Sequence, residues 1–99
     1  MDLKELQRVL GSGQNPYIDI KDPKSVLLHY VEEVGELIKA LRKNKPIEEI
    51  EKELGDNMIL LLFVAESLKL DLDHCTRVKI ADNVAKGKFK PELHKEWFE

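Results

Sequence analysis

The stretch Val26-Leu27-Leu28-His29-Tyr30-Val31-Glu32-Glu33-Val34-Gly35-Glu36-Leu37-Ile38-Lys39-Ala40-Leu41 decides the fold. Val26, Leu27, Tyr30, Val31, Val34, Leu37, Ile38 and Leu41 recur with a period near 3.6, the spacing of one face of an α-helix. Asp22 can cap that helix with Pro23 at its first position, and the cations between Arg42 and Lys45 suit its C-terminal end. Inside it, Glu32, Glu33 and Glu36 crowd around Gly35. Like charges three and four residues apart repel, and a mid-helix glycine costs about 1 kcal/mol relative to alanine. These residues weaken the helix that carries them, which points to a use other than helix stability.

Outward from this segment the same periodicity recurs. Leu3, Leu6, Val9 and Leu10 predict a short amphipathic helix near residues 2 to 10 that stops at Gly11-Ser12-Gly13. A polar, turn-rich segment follows; its Gly-Ser-Gly lacks the Gly-Lys-Ser/Thr of a phosphate-binding P-loop. Pro46 opens another helix with an acidic first turn, Glu48-Glu49, and the apolar series Ile47, Ile50, Leu54, Met58, Leu61, Ala65 and Leu68. Its C-terminal half is apolar on every side and is expected at the centre of a bundle. Asp71 or Asp73 caps a last helix over about 73 to 86 that ends before Gly87. With no strand-period segment, the expected class is all-α, a small bundle of three main helices plus a short N-terminal one. One domain over 1–99 is expected, with a motif-bearing core at about 23–88 and a tail, 89–99, that holds Pro91, Trp97 and Phe98.

Ninety-nine residues limit the core such a chain can bury, so completion by further copies, as a homodimer or homotetramer, is expected. The net charge of -3 speaks against a surface built to grip nucleic acid. Cys75 is the single cysteine, so an internal disulfide is impossible. The first residues lack the apolar run of a signal peptide, and Met58–Ala65 falls short of the roughly 20 residues needed to cross a bilayer. A cytoplasmic protein without a membrane partner is the expectation.

Glu53-Leu54-Gly55-Asp56 repeats the pattern of Glu33-Val34-Gly35-Glu36: acid, aliphatic, glycine, acid. Acids three apart lie about 60° from one another on a helix, so two such pairs on neighbouring helices can converge. On the helical wheel Glu33 falls at the border of the apolar stripe, Glu36 just beyond it and Glu32 almost opposite. Glu53 and Asp56 share their side with Leu60 and Phe63. Carboxylates on a dry side need cations, and hard oxygen ligands suit Mg2+, or Mn2+ in its place. The glycines are expected to let helices, metal or substrate approach closely. Glu32, Glu48, Glu49 and Glu51 read as solvated faces. His29, one turn before Glu33, reads as a border residue, Tyr30 as core, and Tyr17, Phe89 and Trp97 as candidates to stack on a base. Lys79, Asn83 and Lys86, at i, i+4 and i+7, form one stripe able to cradle a polyphosphate, with Cys75, Val78, Ala81 and Ala85 as a partial apolar side for docking.

In order along the chain, EEVGEL, ELGDN and Lys79-Ile80-Ala81-Asp82-Asn83-Val84-Ala85-Lys86 resemble the motifs of the MazG-like all-α nucleoside triphosphate pyrophosphohydrolases, over roughly residues 25 to 90. The resemblance implies that Glu33, Glu36, Glu53 and Asp56 are magnesium ligands and that Lys79, Asn83 and Lys86 contact phosphate. Lys86 stands where the family often has arginine, replacing a bidentate fork by a point charge. The reaction implied is water attack on the α-phosphorus of a nucleoside triphosphate, giving the monophosphate and pyrophosphate, with Glu33 or Glu36 orienting or deprotonating the water. The physiological task would be housecleaning of the nucleotide pool. The alternative is a non-catalytic helical interaction module that binds nucleotide or metal without turnover. A ferritin-like di-iron protein would need Glu-x-x-His units, and the chain has none.

Overall fold

The structure is a computed structural model that describes residues 1–13 and 21–89. The described residues form four helices and no strand: α1 (Leu3–Ser12), α2 (Pro23–Arg42), α3 (Ile47–Ser67) and α4 (Leu72–Ala85). The all-α class follows, and the bounds lie within a few residues of those expected. Tyr17, His94 and Trp97, with the rest of the tail from residue 90, lie outside the described residues.

Local chemistry starts and ends each helix. Asp2 accepts the Glu5 N–H at 2.8 Å, Asp22 accepts the Lys24 N–H at 3.1 Å with Pro23 behind it, and Asp71 accepts the Asp73 N–H at 3.0 Å. α1 continues through Gly11 and Ser12 rather than stopping at them; Gly13 is its C-cap. The three long helices close alike. A residue with positive φ, Asn44 (52°), Lys69 (58°) or Gly87 (75°), turns the chain so that the next N–H reaches a carbonyl of the last turn. These bonds are Lys45 to Ala40 at 3.0 Å, Leu70 to Ala65 at 2.9 Å and Lys88 to Asn83 at 2.8 Å. Only Gly87 adopts that backbone without a Cβ penalty.

α2 and α3 form an antiparallel hairpin, α1 lies along the later part of α3, and α4 packs on α1 and more lightly on α3. Val26, Leu60 and Phe63 make the core, with Leu10, Tyr30 and Val64 packed around it. Tyr30 is thus a core side chain, as its place in the apolar series implied. At the junction of α1, α3 and α4 sits Gln7, only 3% exposed. Its amide donates to Glu66 Oε1 at 3.0 Å and to the Leu70 carbonyl at 2.6 Å, while its Oε1 accepts the Leu72 N–H at 2.9 Å. One side chain therefore ties the entry of α4 to α1. Gly11 makes the close approach possible, since a methyl there would run into the Glu66 side chain.

Two expectations change. The apolar stripe of α2 is only partly covered: Val26 is fully buried, but Val31 is 68% exposed, Ile38 50% and Leu41 56%. On α3, Leu54 and Met58 are exposed as well. The physical reason is that α3 covers one side of α2 while α4 is drawn to α1 and leaves the other side open. For the same reason α4 buries no residue; Val78 and Ala85, expected to help dock it, face outward.

Replacing Gln7 by alanine strands the half-buried Leu72 N–H, the Leu70 carbonyl and the Glu66 carboxylate. A loss of about 2–3 kcal/mol is expected, read as a fall of about 10 °C or more in the melting midpoint. A midpoint within about 2 °C of wild type would show that Gln7 does not hold the junction.

Candidate metal centre

Where α2 faces α3, Glu33, Glu53 and Asp56 each present a carboxylate oxygen within 4.8 Å of the other two. Glu33 and Glu53 are half-buried and Asp56 is exposed. The trio takes both acids of the i, i+3 pair on α3 and one of the pair on α2. Glu36 is exposed and lies outside the trio, though close enough for its charge to act on the Glu33 carboxyl.

The electrostatics show what keeping these acids together costs. Burial pushes the Glu33 carboxyl above its ordinary value, and the charges of Asp56, Glu53, Glu36 and Glu32 push in the same direction. Beside it, Glu53 Oε2 is buried and has no hydrogen-bond partner among the described residues. A buried carboxylate oxygen without a donor is unfavourable unless a cation or proton meets it. The donor set is all carboxylate oxygen, the chemistry of Mg2+ and Ca2+ sites and not of soft thiolate or imidazole sites. The residues present therefore fit a hard divalent cation.

Asn57, which is not among the expected site residues, organises this centre. It is 8% exposed, and its amide donates to the Glu53 carbonyl at 2.7 Å and the Glu33 carbonyl at 3.3 Å. It thereby pins α2 to α3 at the level of the acids. Its Oδ1 is buried and unpartnered like Glu53 Oε2. The available signal was an amide one turn after Glu53 on the dry side of the helix, inside the ELGDN stretch.

The glycines behave differently from expectation. A Cβ added at Gly35 or Gly55 would meet nothing within 4 Å, so within the chain neither glycine is required for close approach. His29 does not touch the trio; its Nδ1 lies 3.8 Å from Glu32 Oε2 on the exposed side.

The basic stripe on α4 stands apart. Lys79 Nζ and Lys86 Nζ both bind Asp82 Oδ2, at 3.0 and 2.9 Å, and their hydrogen bonds, Lys86 first, hold the Asp82 carboxyl below its ordinary value. Lys79 and Asn83 line an open cleft of about 420 Å³ with Cys75, Thr76, Ile80 and Phe89. Glu36 and Glu53 open on a different cleft of about 240 Å³, with Lys39, Ala40, Lys43, Lys45 and Glu49. Within one chain the acids and the α4 stripe thus face different spaces.

Residues 21–91 match the MazG nucleotide pyrophosphohydrolase domain, and the chain belongs to that family. It is 32% identical over 83 residues to a dATP/dGTP diphosphohydrolase of Cyanophage S-2L, covering 84% of this chain and 74% of that protein. No solved structure matches it. Family and relative together support a hydrolase acting on nucleoside triphosphates. No helix among the described residues is long and apolar enough to cross a membrane.

A carboxyl held high in the folded state favours folding at low pH, and that contribution is lost as pH rises through the folded value. In EDTA at neutral pH, Glu33→Gln should therefore melt a few degrees above wild type, at about 4–8 °C per kcal/mol. The gap should narrow towards about pH 4, where the carboxyl is protonated. Added Mg2+ should raise the wild-type midpoint more than that of the variant. A Glu33→Gln protein that melts below wild type at neutral pH in EDTA would contradict this reading.

Proposed function

We propose that the chain is a Mg2+-dependent nucleoside triphosphate pyrophosphohydrolase that directs water to the α-phosphorus and releases the monophosphate and pyrophosphate. The observation that carries this is the Glu33–Glu53–Asp56 cluster with its donor-less buried Glu53 oxygen, in a chain of the MazG family. Glu33, Glu53 and Asp56, with Glu36 at their edge, would hold the ion, and Mn2+ could replace it. When bound, Mg2+ neutralises phosphate oxygens and lowers the pKa of water.

The chain's own groups do the rest. Glu33 and Glu36 are the candidates to orient the attacking water and take its proton. Asn57 keeps the two acid-bearing turns in register. Lys79, Asn83 and Lys86 are the proposed phosphate contacts on α4, and in the proposed assembly they reach the acids from a second copy. The uncovered stripes of α2 and α3 supply the surface for that copy in a homodimer or homotetramer. The physiological role proposed is housecleaning of the cytoplasmic nucleotide pool.

The test is to incubate the protein with ribo- and deoxynucleoside triphosphates and Mg2+ and to resolve the products, with dATP and dGTP included because the phage relative is a dATP/dGTP diphosphohydrolase. Monophosphate and pyrophosphate in equal amounts are expected. Turnover should vanish with EDTA and fall by about a hundredfold or more in Glu53→Ala. Release of orthophosphate, or no turnover of any nucleotide, would refute the proposal.

A further inference from the structure

The 240 Å³ cleft at the α2–α3 turn has walls of opposite charge. Glu36, Glu49 and Glu53 line it together with Lys39, Lys43 and Lys45. Among the described residues none of these six side chains takes part in an ion pair. The left-handed turn at Asn44 creates the arrangement. By returning the Lys45 N–H to the Ala40 carbonyl, it folds the chain back over the end of α2, so that Lys45 joins Lys39 and Lys43 around the buried Ala40. Acids and lysines that share a cleft without pairing leave room for a guest that carries both signs. Its volume is large against the roughly 10–15 Å³ that one water needs on the same measure. Glu53 belongs both to this cleft and to the carboxylate trio, so the cleft opens directly on the candidate metal centre. The lysines of α4 differ in both respects, being held by Asp82 and lining another cleft.

We infer that Lys39, Lys43 and Lys45 hold the pyrophosphate portion of the substrate, and the pyrophosphate product, in the same chain that supplies the carboxylates. The assignment rests on the pyrophosphohydrolase reading for its place in a reaction, but the anion site itself stands on the cleft. A divalent cation complexed with pyrophosphate has the required character: its cation would complement Glu36 and Glu53, and its phosphate oxygens the ammonium groups, each a compact charge with three donors. The acids exclude free pyrophosphate, so binding depends on the cation.

The experiment is calorimetric titration with inorganic pyrophosphate, with and without Mg2+, of wild type, of the Lys39→Gln/Lys43→Gln/Lys45→Gln protein and of the Lys79→Gln/Lys86→Gln protein. KM and kcat are measured on the same samples. The three substituted lysines are exposed, so a melting curve close to wild type is expected. Wild type should bind pyrophosphate with Mg2+ and lose affinity without it. The triple variant should bind at least about tenfold more weakly with a raised KM, and the α4 variant should bind more tightly than the triple variant. Wild-type affinity in the triple variant, a loss confined to the α4 variant, or no pyrophosphate binding by wild type would overturn the assignment. If wild type binds pyrophosphate through these lysines yet hydrolyses no nucleotide, the anion site stands and the proposed reaction falls. If it hydrolyses nucleotide with KM and pyrophosphate affinity unchanged in the triple variant, the reaction stands and the anion site falls.

Discussion

The amide of Asn57 bonded to the carbonyls of Glu33 and Glu53 is the interaction on which the centre depends. Three carboxylates within 4.8 Å of one another repel, and two helices bearing them would separate if only the acids met at that level. The bond to the Glu33 carbonyl, the one of the two that crosses from α3 to α2, acts on the backbone and not on the acids, so it opposes the repulsion without neutralising the charge. A salt bridge at the same place would have held the helices equally well and quenched the site. An amide can hold without quenching, and it is buried enough to do so.

The hydrophobic core works to the same end from farther along the hairpin. Val26 against Leu60 and Phe63 anchors the start of α2 to the later part of α3, and Gln7 fastens α1 and α4 to that end of the hairpin. The opposite end, where α2 turns into α3, carries the charged cleft and little apolar cover. Apolar packing is thus concentrated at one end of the hairpin, with the acid trio near its middle and the charged cleft at the other end. Such a division lets an acid cluster exist in a small chain, because the folding free energy does not rely on the turns that the acids weaken.

Features set by near neighbours in sequence were legible. Asp22 before Pro23, Asp71 before α4 and Gly87 after it mark helix ends through bonds made within a few residues. That acids of α2 and α3 meet was legible in part: i, i+3 spacing puts Glu53 and Asp56 on one side of α3, but it does not show that Glu33 and not Glu36 joins them. What periodicity could not tell was which half of a wide apolar stripe another helix would cover. Val26 and Val31 belong to the same series, yet one is buried and the other open. Lys43 and Lys45 stand among the cations expected at the end of α2, but their grouping with Lys39 requires the positive φ of Asn44, a conformation the spacing of residues does not encode. Asn57 stands inside ELGDN beside the acids, but the spacing of a lone amide does not disclose which carbonyls it meets across the hairpin.

Asp82 gives the α4 stripe a character that its lysines alone would not have. By holding both Lys79 and Lys86 it acts as a resident counterion and leaves the three groups with a single net positive charge. Any anion offered to the stripe would meet one unit of net charge instead of two, and would have to displace a carboxylate that already satisfies both ammonium groups. A row of lysines is therefore a weaker anion surface than its sequence suggests whenever an acid stands between them.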